Sequence, residues 1–336
     1  MTDLSPARAR AIVERFEPLT VLVVGDVMID HFLIGQVERI SPEAPIPVMA
    51  FDHEEYRIGG AANVANNVRS LGGRVSLVGA VGADEPGQRL LSELRSAAID
   101  VTGIIVASDR PTTRKLRIVA NQNKQVARID FETKKALAPT YAQALLAHQS
   151  KAAEKADIIV VSDYLKGVIT SELMTRALAA SRAREVPILV DPKVPHLNYY
   201  AGCTLLTPNH HEASTATNSV IHTNAEAQQA ARSLQSRLGC ESVLITRGAH
   251  GLWLLDGSGG GAVEPCEKAL PTAAREVSDV TGAGDTVIAT LALGLAAGAT
   301  LTEAAQLANQ AAGLAVARFG PATVSAEELL KACTNQ

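Results

Sequence analysis

Aromatic residues are scarce in this 336-residue chain: Phe, Trp and Tyr make up 3% of it, whereas 47% of its residues are hydrophobic. A core built mainly from Ala, Val, Leu and Gly suits a parallel sheet covered by helices better than a β-sandwich. The length fits one large α/β domain or two modest ones. We expect a single domain that covers residues 1–336.

Paired cysteines and long apolar runs are also missing. The four cysteines, at 203, 240, 266 and 333, form neither a CxxC pair nor a zinc-ligand spacing. The longest apolar stretch, 287–301, is too short to span a bilayer, and the amino terminus lacks the features of a signal peptide. These absences predict a cytoplasmic protein that does not bind membranes. A net charge of −4 gives no electrostatic reason to expect a nucleic-acid partner.

Two common phosphate-binding motifs are absent as well. The chain has no GxxxxGK[ST] string, which excludes a P-loop enzyme. The first apolar run leads into Gly25-Asp26-Val27, which lacks the GxGxxG fingerprint of dinucleotide-binding folds and disfavours an NAD-dependent oxidoreductase. A phosphate group would therefore have to meet a different glycine-rich turn.

Five apolar runs, each followed by polar residues, dominate what is present. They cover 21–24, 158–161, 188–190, 205–206 and 243–245, and they lead into Asp26, Asp163, Asp191 with Lys193, Asn209, and Thr246 with Gly248. Helical stretches near 139–156, 170–184 and 225–238 separate them. This alternation predicts a doubly wound, mostly parallel α/β sheet with helices on both faces. The polar residues could be ordinary loop starts, but five in register favour a ligand site at the carboxyl ends of the strands.

Two segments, 33–53 and 110–131, interrupt this pattern with prolines or alternating residues. We expect them to form a small β-sheet that acts as a lid, although a purely structural flap is the alternative. Residues 110–128 contain six basic side chains and no acidic one. A solvated strand edge explains some of them, whereas a phosphorylated ligand would explain the whole patch. Exposed lid strands could also pair between two copies, which predicts a homodimer.

The most specific string is Asp279-Val280-Thr281-Gly282-Ala283-Gly284-Asp285-Thr286, which precedes a long helix-forming stretch. The amides of residues 282–284 would lie at the positive end of the helix, where they could bind an anion in transfer. Asp285 in the first turn could then take a proton from an attacking hydroxyl. The alternative is a glycine-rich helix start with a favourably placed acidic residue.

A second string, Gly59-Gly60-Ala61-Ala62-Asn63, combines two residues that let backbone approach a ligand with an amide that could bind hydroxyl groups. An ordinary Asn-capped helix start explains the same pattern. The local sequence does not decide between these two interpretations.

Taken together, the Gly-Gly-x-x-Asn string and the Asp-Val-Thr-Gly-Ala-Gly-Asp string resemble the two signatures of the ribokinase-like (PfkB) carbohydrate kinase family. Asn209-His210-His211-Glu212 is similar to the Asn-x-x-Glu motif of that family, and residues 246–251 are similar to its Thr-x-Gly-x-x-Gly turn. The resemblance covers almost the whole chain and implies a kinase that uses ATP and Mg²⁺.

The resemblance also implies roles for individual residues. The implied catalytic group is Asp285 as base with an anion hole of Gly282, Ala283 and Gly284. The implied sugar-binding group is Asp30, Gly59, Gly60 and Asn63. The implied nucleotide group is Asn209 and Glu212, which would also organise Mg²⁺ through water, with Thr246, Gly248, Gly251 and, on a late helix, Asn309.

Four further strings resemble D-glycero-β-D-manno-heptose-7-phosphate kinases within this family: 25–30, 40–48, 162–167 and 191–193. This resemblance implies phosphorylation of the anomeric O1 to give the 1,7-bisphosphate, a precursor of ADP-heptose and lipopolysaccharide. We expect Asp163, Asp191, Lys193 and Arg128 to bind the substrate, the two basic residues at its phosphate.

Some relatives carry a fused adenylyltransferase, and we expect that activity in a separate protein here. The alternatives are a kinase of this family for another sugar, and a regulator that binds sugar or nucleotide without catalysis.

Overall fold

The computed structural model describes residues 4–120, 124–259 and 265–334. Within these ranges the strands are β1 (Thr20–Gly25), β2 (Val27–Ile40), β3 (Pro47–Gly60), β4 (Arg74–Gly82), β5 (Asp100–Ala107), β6 (Arg114–Ala120), β7 (Lys124–Phe131), β8 (Ile158–Ser162), β9 (Ile188–Asp191), β10 (Leu205–Leu206), β11 (Ser242–Thr246), β12 (Leu252–Asp256) and β13 (Cys266–Leu270). The α-helices are α1 (Pro6–Val13), α2 (Ala61–Ser70), α3 (Glu85–Ser96), α4 (Pro139–Ala153), α5 (Ser171–Arg184), α6 (His210–Thr217), α7 (Asn224–Leu238), α8 (Ala283–Ala296), α9 (Leu301–Ala315) and α10 (Ala326–Thr334). Short 3₁₀ turns cover Val194–Tyr200 and Gly248–His250.

The main sheet has the strand order β13-β12-β11-β10-β9-β8-β1-β4-β5. The strands from β11 to β5 run parallel, and β12 is antiparallel to both of its neighbours. The prediction of a doubly wound, mostly parallel sheet is therefore confirmed. Strands β4 and β5 at one side of the sheet, and β12 and β13 at the other, have no counterpart among the five predicted runs.

Helices cover both faces of this sheet because its strands are apolar on both sides. Along β1, Val21 and Val23 pack with α1, α2, α3, α8, α9 and α10, whereas Leu22 and Val24 pack with α4, α5 and α7 on the opposite face. Burial on both faces is the physical reason that these strands appear as continuous apolar runs in the sequence. Among the helices of the described residues, none combines the length and the apolar character needed to cross a bilayer.

The small sheet has the order β3-β2-β6-β7. The first lid segment is longer at both ends than the predicted range 33–53. Strand β2 starts at Val27, and β3 runs to Gly60. The apolar residues 27–29 follow β1 with only Asp26 between the two strands. The turn at Asp26 moves them into the second sheet. The predicted segment 110–131 contains β6 and β7, with residues 121–123 outside the described ranges.

The order of the strands reverses between β1 and β8. After β1 the chain adds β4 and β5 on one side, and it then returns to place β8 to β11 on the other. Such a reversal opens a crevice at the carboxyl ends of the two central strands, where open α/β sheets bind ligands. Asp26 and Asp163, which directly follow β1 and β8, therefore mark the expected position of the site.

Candidate active site

The strand register brings the sequence-predicted polar residues to one edge of the main sheet. Gly25 pairs with Ser162, and Ser162 pairs with Asp191, so the ends of β1, β8 and β9 lie side by side. Farther along the same edge, Asn209 pairs with Thr246 in an isolated bridge. The structure therefore places the polar ends of these strands along one crevice.

Helix α8 begins at this edge with the glycine-rich string. Gly282 is its N-cap with φ of 80°, a left-handed conformation that favours glycine, and a Cβ there would lie 2.7 Å from Asn63 Nδ2. No side chain caps the helix. The Ala283 amide donates to the carbonyl of Val280 at 3.2 Å, while a Cβ at Gly284 would meet no atom within 4 Å. First-turn amides have no partner one turn back, so the start of α8 is suited to bind an anion.

Asp285 lies in the first turn of α8 and is only 3% exposed. Its Oδ2 accepts a hydrogen bond from Asn63 Nδ2 and its Oδ1 accepts one from the hydroxyl of Tyr164, both at 2.8 Å. Burial raises the pKa of Asp285 to about 6, although these two hydrogen bonds act in the opposite direction. A carboxylate held in this way can act as a base near neutral pH.

Asn63 lies in the first turn of α2, whose N-cap is Gly60, and it does not cap that helix. Asn63 is 2% exposed, and its side-chain amide donates a hydrogen bond to Asp285. Asn67 Nδ2 donates to the Asn63 carbonyl at 2.9 Å, and Thr286 Oγ1 donates to Asn67 Oδ1 at 3.1 Å. The two sequence signatures, more than 200 residues apart, are thus joined, and Asn63 holds the proposed base.

Asp30, on β2, is 3% exposed and forms an ion pair with Arg117 on β6. A Cβ at Gly59 would lie 2.5 Å from Asp30 Oδ2, so a larger residue there would push the Asp30 carboxylate aside. Burial raises the pKa of Asp30, and the positive charge of Arg117 lowers it in part. Asp30 and Gly59 therefore form one wall at the root of the lid.

Asp163 lies where expected, at the end of β8, and neighbouring groups hold its carboxylate. Its side chain is 0% exposed. Its Oδ2 lies 2.6 Å from His196 Nδ1 and accepts a hydrogen bond from Tyr200 at 2.6 Å, while Oδ1 accepts one from the Leu165 amide at 2.7 Å. These contacts hold the loop that follows β8, and a ligand would have to displace one of them to reach the Asp163 carboxylate. Substrate binding by Asp163 stays a prediction.

Asp191, Lys193 and Glu212 form a charged group next to Asp285. Lys193 Nζ pairs with Glu212 Oε1 and lies 5.3 Å from the centre of the Tyr164 ring. Burial raises the pKa of Asp191 to about 8, and the nearby negative charges of Glu212 and Asp285 add to this effect. Burial lowers the pKa of Lys193, but the two carboxylates outweigh it and the net shift is upward. Lys193 thus lies among the strand ends beside Glu212 and Tyr164, and its contact with a substrate phosphate stays a prediction.

Asn209 and Glu212 form a reciprocal cap at the start of α6. Asn209 Oδ1 accepts hydrogen bonds from the amides of residues 211 and 212, and Glu212 Oε2 accepts one from the Asn209 amide at 2.9 Å. Within the described residues, no group of three or more His, Cys, Asp or Glu side chains is arranged to hold a metal ion. Oxygen atoms that are already engaged fit a Mg²⁺ held mainly by water and by nucleotide phosphates, which is the usual habit of that ion.

The nucleotide-side residues lie around the end of β11. Gly248 and Gly251 bound a tight turn in which the Arg247 amide donates to the Gly251 carbonyl at 2.8 Å. Thr246 ends β11, and a Cβ at Gly248 would meet no atom within 4 Å. Asn309, on α9, donates to the carbonyl of Pro271 at 2.7 Å.

Two cavities adjoin this region. One of about 720 Å³ lies between segment 272–276 and helices α9 and α10, and one of about 410 Å³ is bordered by Asn309 and segment 268–273. The first has the size of a small-molecule pocket. Asp285 does not line either cavity.

Three of the six basic residues of the lid pair with acidic groups that lie outside the patch at 110–128. Lys115 pairs with Asp130 at 3.4 Å and Arg128 pairs with Asp130 at 2.9 Å, whereas Arg117 pairs with Asp30. Arg128 remains 47% exposed, and Lys115, Arg117 and Arg128 all influence the electrostatics of Asp30. The patch therefore has a reduced net charge and lies close enough to Asp30 to lower the pKa of that residue in part.

Sequence reasoning assigned no individual role to two residues that organise the site, Asp26 and Tyr164. Asp26 is 1% exposed and accepts hydrogen bonds from the amides of Tyr164, Lys166 and Val168 at 2.9 to 3.0 Å. Both residues lie in strings that resemble heptose-7-phosphate kinases. The position of Asp26 directly after β1 also indicated that it lies at the carboxyl edge of the sheet. The contact of Tyr164 with Asp285 bridges 121 residues and has no local signature.

Comparison with known proteins agrees with this geometry. The model of the pfkB family carbohydrate kinases matches residues 19–328. The chain is 43% identical over 322 residues to the bifunctional protein HldE of Trichlorobacter lovleyi, covering 96% of this chain and 64% of that protein. It is 44% identical over 314 residues to the HldE of Geobacter metallireducens, covering 93% and 62%.

Among solved structures, ribokinase of Arabidopsis thaliana, determined with ribose and ATP, superposes with a TM-score of 0.72 at 20% identity, covering 94% of this chain and 98% of that one. This likeness concerns the fold. The chain spans slightly less than two thirds of the length of its HldE relatives, so the match concerns one part of those bifunctional proteins. The family match over nearly the whole chain, together with the two joined signatures, shows that this chain belongs to the pfkB family of carbohydrate kinases.

Proposed function

We propose that this chain transfers the γ-phosphoryl group of ATP to the anomeric O1 of D-glycero-β-D-manno-heptose 7-phosphate and so produces the 1,7-bisphosphate. The observation that carries the proposal is the Asp285 carboxylate, buried beside an open glycine tip at the carboxyl edge of the sheet, with both oxygens held. The choice of sugar rests on the strings that resemble heptose-7-phosphate kinases and on the lid cations.

The sugar would bind between Asp30, the Gly59 backbone and Asp285, with its 7-phosphate toward the lid. Arg128 is the best-placed cation for that phosphate because it is exposed and close enough to act on Asp30. A partly exposed guanidinium can bind a phosphate through two parallel hydrogen bonds.

In the transfer step the O1 hydroxyl of the sugar donates its proton to Asp285 as O1 attacks the γ-phosphorus. The bond from O1 to phosphorus forms, the bond from phosphorus to the bridging oxygen breaks, and ADP leaves with the electron pair. The Gly284 amide and the positive end of α8 would stabilise the charge on the transferring group. Lys193 lies near enough to Asp285 to add a positive charge on the same side.

Magnesium, when bound with ATP, would neutralise phosphate charge and orient the γ-phosphate. Glu212 and Asn209 would hold it through water molecules. The adenosine part of ATP would extend past Gly248 toward the segment 272–276 and α9, where the cavity of about 720 Å³ lies.

The experiment is an ADP-release assay on a panel that contains heptose 7-phosphate, unphosphorylated heptose, fructose 6-phosphate, ribose and adenosine. We expect kcat/KM to be highest for heptose 7-phosphate. Asp285→Asn should lower kcat by roughly 10² to 10⁴, the range for loss of a general base. Asp256→Asn, at the opposite edge of the sheet on β12, is the matched control and should leave kcat unchanged.

Two outcomes would replace the proposal. A preference for another sugar would retain the kinase mechanism and change the substrate. Tight ATP binding without turnover on any sugar would instead identify a regulator without catalysis.

A further inference from the structure

Tyr164 lies on a loop whose backbone is held by a buried carboxylate. Asp26, itself 1% exposed, accepts hydrogen bonds from the backbone amides of Tyr164, Lys166 and Val168, so one buried carboxylate holds three points of the loop. The carboxylate of Asp163 accepts a hydrogen bond from the Leu165 amide of the same loop. A residue whose backbone is held in this way can place its side chain with little freedom, which is the condition for orienting a reactive group.

The side chain of Tyr164 contacts both halves of the site. Its hydroxyl donates to Asp285 Oδ1 at 2.8 Å, and its ring lies 5.3 Å from the ammonium of Lys193. Lys193 in turn pairs with Glu212 at the start of α6, on the side assigned to Mg²⁺ and ATP. Tyr164 is therefore in contact with both the base and this cation.

We propose that Tyr164 is a positioning residue that joins the acceptor and donor halves of the site: its hydroxyl orients the Asp285 carboxylate, and its ring seats the Lys193 ammonium. This inference rests on the proposed function, since it assigns Asp285 the role of base. Asn63 holds the second carboxylate oxygen from α2, so the plane of the carboxylate is defined by two elements. Each oxygen keeps a lone pair with which to accept the sugar hydroxyl.

The charges around Asp285 make the hydroxyl of Tyr164 important for the protonation of the base. Asp30 on β2 and Asp191 on β9 face Asp285 as acidic groups that oppose its ionisation when they are charged, whereas Lys193 faces it as a positive charge. The hydrogen bonds from Asn63 and Tyr164 favour the ionised carboxylate. Burial and the charge of Asp285 raise the pKa of Tyr164, so its hydroxyl stays protonated and remains a donor at every pH at which the enzyme would work.

The first test is Tyr164→Phe, which removes the hydroxyl and keeps the ring. We expect the acidic limb of the kcat–pH profile to move upward by about one pH unit, the effect of losing one hydrogen bond to a charged group. Site-specific 3-fluorotyrosine at 164, a stronger donor, should move the limb downward. Tyr141→Phe is the matched control, because it deletes a phenol hydroxyl that bonds only the Ser108 region at the surface.

The second test separates the ring from the hydroxyl. Tyr164→Leu removes both, so we expect it to raise KM for ATP several-fold relative to Tyr164→Phe, which should leave that KM near the parent value. An acidic limb that stays in place in both the Phe and the fluorotyrosine variants, while Asp285→Asn still abolishes turnover, would overturn the positioning role and leave the kinase proposal intact. If Asp285→Asn has normal turnover, the proposed function fails, independently of what Tyr164 does.

Discussion

At the scale of single residues, the raised pKa of Asp285 means that its ionisation destabilises the fold. The pKa is about 6 in the folded chain against 3.8 for an unperturbed Asp. Because the folded state holds its proton more tightly than the unfolded state, stability falls as pH rises between these two values. The cost above pH 6 is about 3 kcal/mol.

Asp285→Asn should therefore be more stable than the parent at neutral pH, even though it is inactive. We expect its gain in free energy of unfolding to grow by about 1 kcal/mol between pH 5 and pH 8. Urea denaturation of both proteins at several pH values measures this difference. A gain that does not change with pH would mean that the Asp285 carboxyl is not strained in the folded chain, and Asp256→Asn supplies the baseline.

The same pKa sets the expected pH dependence of turnover. The base works only when it is ionised, so kcat should fall as pH drops through about 6. A profile of kcat between pH 5 and 9, with Mg²⁺ and ATP saturating at each pH, shows the limb. An acidic limb below pH 4.5 would contradict the assignment of an Asp in this environment.

At the scale of elements, the lid sheet presents one charged face to the crevice. Asp30 on β2, Lys115 and Arg117 on β6, and Arg128 on β7 share that face through the strand register. Their acidic partners reduce this charge, since Lys115 and Arg128 both pair with Asp130 and Lys115 also lies 3.6 Å from Glu132. An incoming phosphate would therefore compete with Asp130 for Arg128.

Arg128→Met should raise KM for heptose 7-phosphate by about tenfold or more, because a charged hydrogen bond to the phosphate is lost. KM for ATP should stay within twofold, and so should KM for a sugar that lacks the phosphate. Lys124→Met, which removes a positive charge at the start of the same strand, is the matched control. Equal increases in both KM values for Arg128→Met would exclude a phosphate contact.

The sequence predicted the elements that have local patterns and missed those that depend on distant partners. The runs ending at Asp26, Asp163, Asp191, Asn209 and Thr246 predicted the central strands because burial on both faces leaves a continuous apolar signal. The glycine tip of α8 was equally visible.

The partners of the site residues were not predictable, because each depends on tertiary contacts. Asp163 follows its strand as a ligand residue would, and no local pattern indicates its hydrogen bond with Tyr200, 37 residues away. Lys193 was expected at a sugar phosphate, and its pairing with Glu212 beside the ring of Tyr164 was not predicted. Neither contact has a trace in the neighbouring sequence.

At the scale of the whole molecule, the outer strand of the lid is exposed along its full length. β7 forms the edge of the small sheet, and Ile129 on it is 47% exposed. An exposed edge with apolar side chains invites pairing with another strand. A homodimer formed through the two lids remains our prediction, because it would cover this edge.

Ile129→Lys should convert such a dimer into a monomer, since it places a charge in the expected contact. Size-exclusion chromatography with light scattering measures the mass directly. Val106→Lys, at an exposed apolar position on β5, the other sheet's edge strand, is the control and should keep the parent mass. A parent protein that is monomeric at all concentrations would rule out the lid dimer.

The candidate active site lies at the carboxyl edge of the main sheet. The opposite edge is therefore a practical place to attach a label. Glu185, between α5 and β9, is exposed there. Three of the four natural cysteines are buried, so a thiol introduced as Glu185→Cys would react preferentially with maleimide reagents. Fluorescent dyes or surface linkers could thus be fixed to this protein without approaching the phosphoryl-transfer crevice.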